Sequence, residues 1–167
     1  MAEKYIKNNS GQLSEVEATV SSTGVSEAGK IVALDNSGKL DSTVMPSGIG
    51  AQTQAMPCSE TLTAGNLINI WSDAGTTKAR KADCSNGRRA HGFVLSGFTS
   101  GATATVYLDD SLTGLTGLTV GVPYYLSTTG AASATAPSTS GYISQEIGVA
   151  VSTTVISFEP QQPITLA

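Results

Sequence analysis

Residues 117–160 read GLTVGVPYYLSTTGAASATAPSTSGYISQEIGVAVSTTVISFEP. Apolar runs at Val120–Leu126, Ile147–Val151 and Val155–Phe158 alternate with clusters of Ser, Thr, Gly and Pro. Short apolar runs bounded in this way read as buried or half-buried strands, and the clusters between them as turns. Ser152-Thr153-Thr154 is short enough to join GVAV to VISF as a hairpin. Nothing in the stretch has a helical period, and the reading it imposes on the chain is all-β.

Working back from residue 117, the same texture continues to about residue 55. Ser59–Thr63 and Leu67–Trp71 bracket the turn-like Ala64-Gly65-Asn66. Thr77–Ala82 precedes a Ser85-Asn86-Gly87 turn, and Arg89–Leu95 and Ala102–Leu108 are separated by a Ser/Gly/Thr loop that holds Phe98. LTGLTGLTVG is too short to define a repeat array and reads as a loop with Leu112, Leu115 and Leu118 tucked inward. About eight strands at this spacing predict a small β-barrel or sandwich over residues 51–167.

Residues 1–50 read differently, as an extended N-terminal arm with short hairpins. Lys4–Asn8 and Gln12–Val20 flank Asn9-Ser10-Gly11, a hairpin signal with a loop of about three residues. Ser21–Gly29 is a linker, Lys30–Leu34 a strand, and Asp35-Asn36-Ser37-Gly38 a type I turn. Asp41 caps a short helical turn over Ser42–Met45, which Pro46 ends. Ser47–Gln54 is a second linker. The sizeable apolar residues of the arm are sparse, so the backbone entropy of ordering it outweighs what their burial returns. The arm is expected to order against its own domain, a sister subunit or another protein, with Tyr5, Ile6, Leu13, Val16, Ile31, Leu34, Leu40 and Met45 as the contacting side chains.

The 167-residue chain has a net charge of −4, and only 13% of its residues are charged. A mildly acidic chain is not drawn to nucleic acid or anionic membrane by bulk electrostatics. No apolar run approaches membrane-helix length, and MAEKYIKNN has no apolar core of a signal peptide, so synthesis and assembly in a cytoplasm are expected. Ser and Thr make up about a quarter of the chain, a composition suited to strands and turns.

Residues able to carry chemistry are few. His91 is the one histidine, and no nucleophile elbow, zinc-protease motif or phosphate-binding glycine loop is present. Asp109 and Asp110 are adjacent and would point to opposite faces of a strand, which argues against a carboxylate pair. Neither they nor Asp73 sit in a calcium-loop pattern. Cys58 and Cys84 lack the spacing of a metal site; free thiols suit a reducing compartment, and a disulfide formed after release is the alternative. No catalytic residue, metal or cofactor is expected. Five of the nine Lys and Arg residues, Lys78, Arg80, Lys81, Arg88 and Arg89, fall in KARKADCSNGRRAH. They form either a docking patch for an acidic surface or a solvated face that protects a sheet edge. The aromatics could form a glycan platform if two or three were exposed on one face; core packing is the alternative.

Two stretches resemble known proteins. MAEKYIKNNSGQLSEVEATVSSTG, followed by GKIVALDNSGKLDSTVMPSGIG, resembles the N-terminal arm of head decoration (cement) proteins of contractile-tailed bacteriophages. Gly29–Pro46 is also similar to linkers in phage fibre proteins. GLT-x-G-x-PYYLS, P-S-x-SG, IGVAVS and F-x-P, within Gly117–Pro160, are similar to a β-module of phage head-fibre, capsid-decoration and tail proteins. The resemblance implies a virion structural protein, assembled in the host cytoplasm, on the outer surface of the capsid. It also implies the major capsid protein as a partner, and self-association as a homodimer or homotrimer. A tail-fibre or baseplate component that binds a host surface glycan is the rival reading.

Overall fold

The computed structural model describes residues 3–45 and 50–167. The chain divides into two units, Met1–Gly50 and Ala51–Ala167. It is all-β: among the described residues the only helices are three-residue 3-10 turns.

In the first unit, β1 (Lys4–Asn9) pairs antiparallel with β2 (Gln12–Glu17). Asn9 pairs with Gln12, so the connection is the two residues Ser10 and Gly11, shorter than the three-residue loop expected. Both have positive φ, 54° and 90°, the mirror-image turn whose twist matches a hairpin. The expected strand Lys30–Leu34 does not form. Thr19 makes a single parallel bridge to Val32, and the chain bends away at Val20 and Ser21 before a second rung can form. The Asp35–Gly38 turn is closed by the Gly38 amide on the Asp35 carbonyl at 2.9 Å. The Asp35 carboxylate also accepts from the Ser37 and Lys39 amides at 2.8 and 2.9 Å. Asp41 caps the helical turn Ser42–Val44 through the Thr43 amide at 2.9 Å. The expected stop at Pro46, and Ser47–Ile49 of the second linker, lie outside the described residues.

The second unit opens with β3 (Thr53–Pro57), which takes in residues read as linker from the sequence. It continues through β4 (Leu67–Asp73), β5 (Thr76–Lys81), β6 (Gly92–Phe93) and β7 (Thr103–Tyr107). These make an antiparallel sheet of order β3-β7-β6-β4-β5. Then follow β8 (Ser111–Leu112), β9 (Pro123–Leu126), β10 (Ala132–Ser133), β11 (Ile143–Ser144), β12 (Glu146–Ser152), β13 (Val155–Phe158) and β14 (Ile164–Thr165). A second sheet has the order β10-β9-β12-β13-β8, and β11 pairs with β14.

The two five-stranded sheets share a core in which Leu67 and Phe93 of the first meet Leu112, Leu126, Ile147, Ile156 and Phe158 of the second. This is the sandwich alternative. Strand alternation sends Ile68, Ala104 and Val106 to the other face of the first sheet. There they join Met56, Cys58, Leu62, Ala79 and Val94 in a second core. The first sheet curls around that core until Cys58 bridges Ala79 and the Ser59 amide donates to the Ala79 carbonyl at 2.9 Å. One bridge joins these edges; no continuous ladder closes a barrel.

Two expected strands are corrected. Ser59–Thr63 contributes one bridge, Leu62 to Phe98. Of Arg89–Leu95, only Gly92–Phe93 enters a ladder. The Ala90 amide is instead taken by Gln145 Oε1 at 2.7 Å and the His91 amide by the Ile68 carbonyl at 2.8 Å. Leu112 is buried as expected, and Leu115 and Leu118 pack half-buried against the shared core.

Candidate functional site

Two surfaces come out of this architecture. The first is the face of the arm. No hydrophobic residue of the first unit is buried among the described residues; its one buried residue is Thr19. Of the residues expected to meet a partner, Tyr5, Val16 and Met45 are half-buried, while Ile6, Leu13, Ile31, Leu34 and Leu40 are exposed. Register explains the split within the hairpin. Tyr5 faces Val16 across the ladder, and its hydroxyl accepts from the Ile31 amide at 3.3 Å. Ile6 and Leu13 belong to pairs on the opposite face, Ile6 with Glu15 and Asn8 with Leu13. There Ile6 is 65% exposed and Leu13 73%. Val25, inside the stretch read as a polar linker, is 92% exposed and adds an apolar side chain that the sequence reading missed.

The second surface is the basic segment, which the structure divides. Lys78 is held by Asp73 at 2.7 Å. Lys81 lies one residue beyond Arg80 on β5 and so faces the other way. Arg80 and Arg89 both bond at the Asn69–His91 pair, and Arg88 lies near enough to Arg80 for its charge to act on it. Arg80 Nε donates to Asn69 Oδ1 at 2.9 Å, and its guanidinium lies 4.5 Å from the centroid of the Trp71 ring. Asn69, 6% exposed, donates from Nδ2 to the Arg89 carbonyl at 2.9 Å. Burial, and then the charge of Arg88, push the Arg80 pKa down.

His91 is a bracing residue in this arrangement. The Ile70 amide donates to its Nδ1 at 2.9 Å, and Arg89 Nε approaches its Nε2 at 2.8 Å. Burial, followed by the Arg89 charge, lowers its pKa, so the ring is neutral near pH 7. Beside it lies an open cavity of about 250 Å³ lined by Arg89, Ala90, His91, Gln145 and residues 160–163. Gln145 is buried there with its amide satisfied by the Ala90 and Gln161 carbonyls.

The remaining candidates have local structural duties. Asp109 accepts from the Gln52 amide at 2.7 Å, and Asp110 from its neighbour Ser111 at 2.6 Å. Cys58 and Cys84 are buried and free, and burial raises both thiol pKa values. The Trp, Tyr and Phe side chains are all buried or half-buried, and Arg80 covers the Trp71 ring. The aromatics therefore pack rather than form an open platform. Among the described residues, no three His, Cys, Asp or Glu side chains converge as a metal site would require.

The fold and its two surfaces define an all-β chain with a coreless arm and a two-sheet unit. No family model matches the chain, and no curated protein matches it in sequence. Among solved structures it is similar to the head fibre gp8.5 N base of bacteriophage phi29, with a TM-score of 0.45 and 12% sequence identity. That match covers 66% of this chain and 95% of the other.

Proposed function

We propose that this chain is a non-catalytic structural protein of a bacteriophage virion that decorates the outer surface of the head and bridges major capsid subunits. The observation that carries the reading is the arm. It has regular turns and a hairpin but no buried hydrophobic residue among those described, and it leaves Ile6, Leu13, Val25, Ile31, Leu34 and Leu40 in solvent. A segment that exposes this much apolar surface on a small scaffold is built to be covered by a partner. The resemblance of residues 1–24 and 29–50 to the arms of head decoration proteins supports the capsid shell as that partner. The second unit has its own cores and would project outward as the head of a homodimer or homotrimer. Modest single contacts would be multiplied over a closed shell.

The test is occupancy on purified heads. Removal of residues 1–48 is expected to abolish binding while the remaining unit stays folded. Undiminished occupancy, or labelling of the tail tip instead of the capsid faces in micrographs, would refute the reading.

A further inference from the structure

In a chain with 13 Asp and Glu against 9 Lys and Arg, arginines ordinarily find carboxylates. Among the described residues, Arg80, Arg88 and Arg89 form no ion pair. Glu60 acts on Arg80 and Asp83 on Arg88 through charge without an ion pair, and their oxygens are hydrogen-bonded elsewhere. Glu60 Oε1 accepts from the Lys81 amide at 2.7 Å, and Asp73 holds Lys78. Asp83 accepts from the amide and hydroxyl of Ser85 and from the Thr129 amide.

The cluster is also braced from beneath. Buried Asn69 takes one Arg80 N–H and holds the Arg89 backbone, and Trp71 supports the plane of the Arg80 guanidinium. The terminal Nη groups of Arg80 make no hydrogen bond among the described residues, and with Nε and the ring face held they present a planar fork of the kind that receives a carboxylate edge-on. Like charges held together raise the free energy of the folded chain, and an anion that binds between them relieves it.

We infer that Arg80, Arg88 and Arg89 form a docking site for the carboxylates of an acidic protein segment. A run of phosphates fits less well. Three guanidiniums match one or two carboxylates, and a patch this small meets only a fraction of the charges that a phosphate backbone presents. The inference does not depend on what the arm binds.

Trp71 is the single tryptophan and lies under Arg80, so its emission reports occupancy of the site. The full chain is titrated with a hexaglutamate peptide at low salt, with a thymidine hexanucleotide as the comparison. The expected result is a saturable change in Trp71 emission that disappears in about 0.5 M NaCl. In the R88Q/R89Q double variant, with its melting temperature unchanged, the apparent affinity should fall by about tenfold or more. R80K, which keeps the charge but loses the fork, should also bind more weakly. No saturable change with hexaglutamate, equal affinity in R88Q/R89Q, or tighter binding of the oligonucleotide would overturn the inference.

Discussion

The ring of Phe93 meets that of Phe158 edge-on, with 5.1 Å between centroids and 69° between planes. Phe93 lies in the curled first sheet and Phe158 in the second, so the contact ties the two sheets across their shared core. The Tyr107 ring stacks on Phe93 at 5.4 Å, which leaves Phe93 no free side. Truncation of Phe93 to Ala should open a cavity between the sheets and cost about 3–5 kcal/mol. Urea denaturation of the second unit measures this, and Phe93→Leu should cost clearly less. A loss below about 1 kcal/mol would mean that the sheets do not depend on this contact.

Gly148 sits in the irregularity between Glu146 and Gly148 where β12 pairs with β9, at φ +137°. A Cβ there would stand 1.8 Å from the Ser157 carbonyl oxygen, so backbone must move. Gly75 offers a comparison: its φ is +87°, but nothing lies within 4 Å of a Cβ. Gly75→Ala is therefore expected to cost about 1 kcal/mol of conformational strain. Gly148→Ala should cost several times more or prevent folding. Thermal melts of the pair separate strain from collision.

Among the described residues, the buried hydrophobic ones all belong to the second unit. Residues 51–167 alone should melt cooperatively within about 3 °C of the full chain. Residues 1–50 alone should show no cooperative transition, because local turns without a core do not sum to a two-state fold. Calorimetry on both fragments measures this directly. A sharp transition in the arm fragment would remove the physical basis for assigning it a partner.

The lowered pKa of His91 means that the folded chain binds the imidazole proton less readily than the unfolded chain. The stabilisation is complete above the unfolded-state value of about 6.5 and is lost as pH falls below it towards the lower folded value. The urea midpoint of the wild type should drop between about pH 7 and pH 5 by more than that of His91→Gln, which has no proton to take up. Equal slopes would show that the ring does not titrate differently in the two states.

Local chemistry was legible wherever it acts over a few residues. The turn at Asp35–Gly38, the Asp41 cap, the first hairpin, and the strands Leu67–Asp73, Thr76–Lys81 and Val155–Phe158 follow from neighbouring residues. Strands whose hydrogen bonds go to distant partners were not legible. Arg89–Leu95 has the composition of a strand, but its start is diverted by the side chain of Gln145, which takes both backbone groups of Ala90 from 55 positions away. The five basic residues were visible as one charge run. Pairing with Asp73 and the alternation of β5 removed two of them from the cluster.

By itself, the order of residues determined that this chain is β throughout, where its tight turns fall, and that its first fifty residues are poor in apolar side chains. Those properties depend on short-range sterics, hydrogen bonds to near neighbours, and composition. Only the tertiary structure decided which face of the hairpin is left bare, how the first sheet curls until Cys58 reaches Ala79, and which arginines stand near one another without an ion pair among the described residues. Each depends on pairing between residues far apart in the chain, where register sets the direction of every side chain, and a shift of one residue would reverse it.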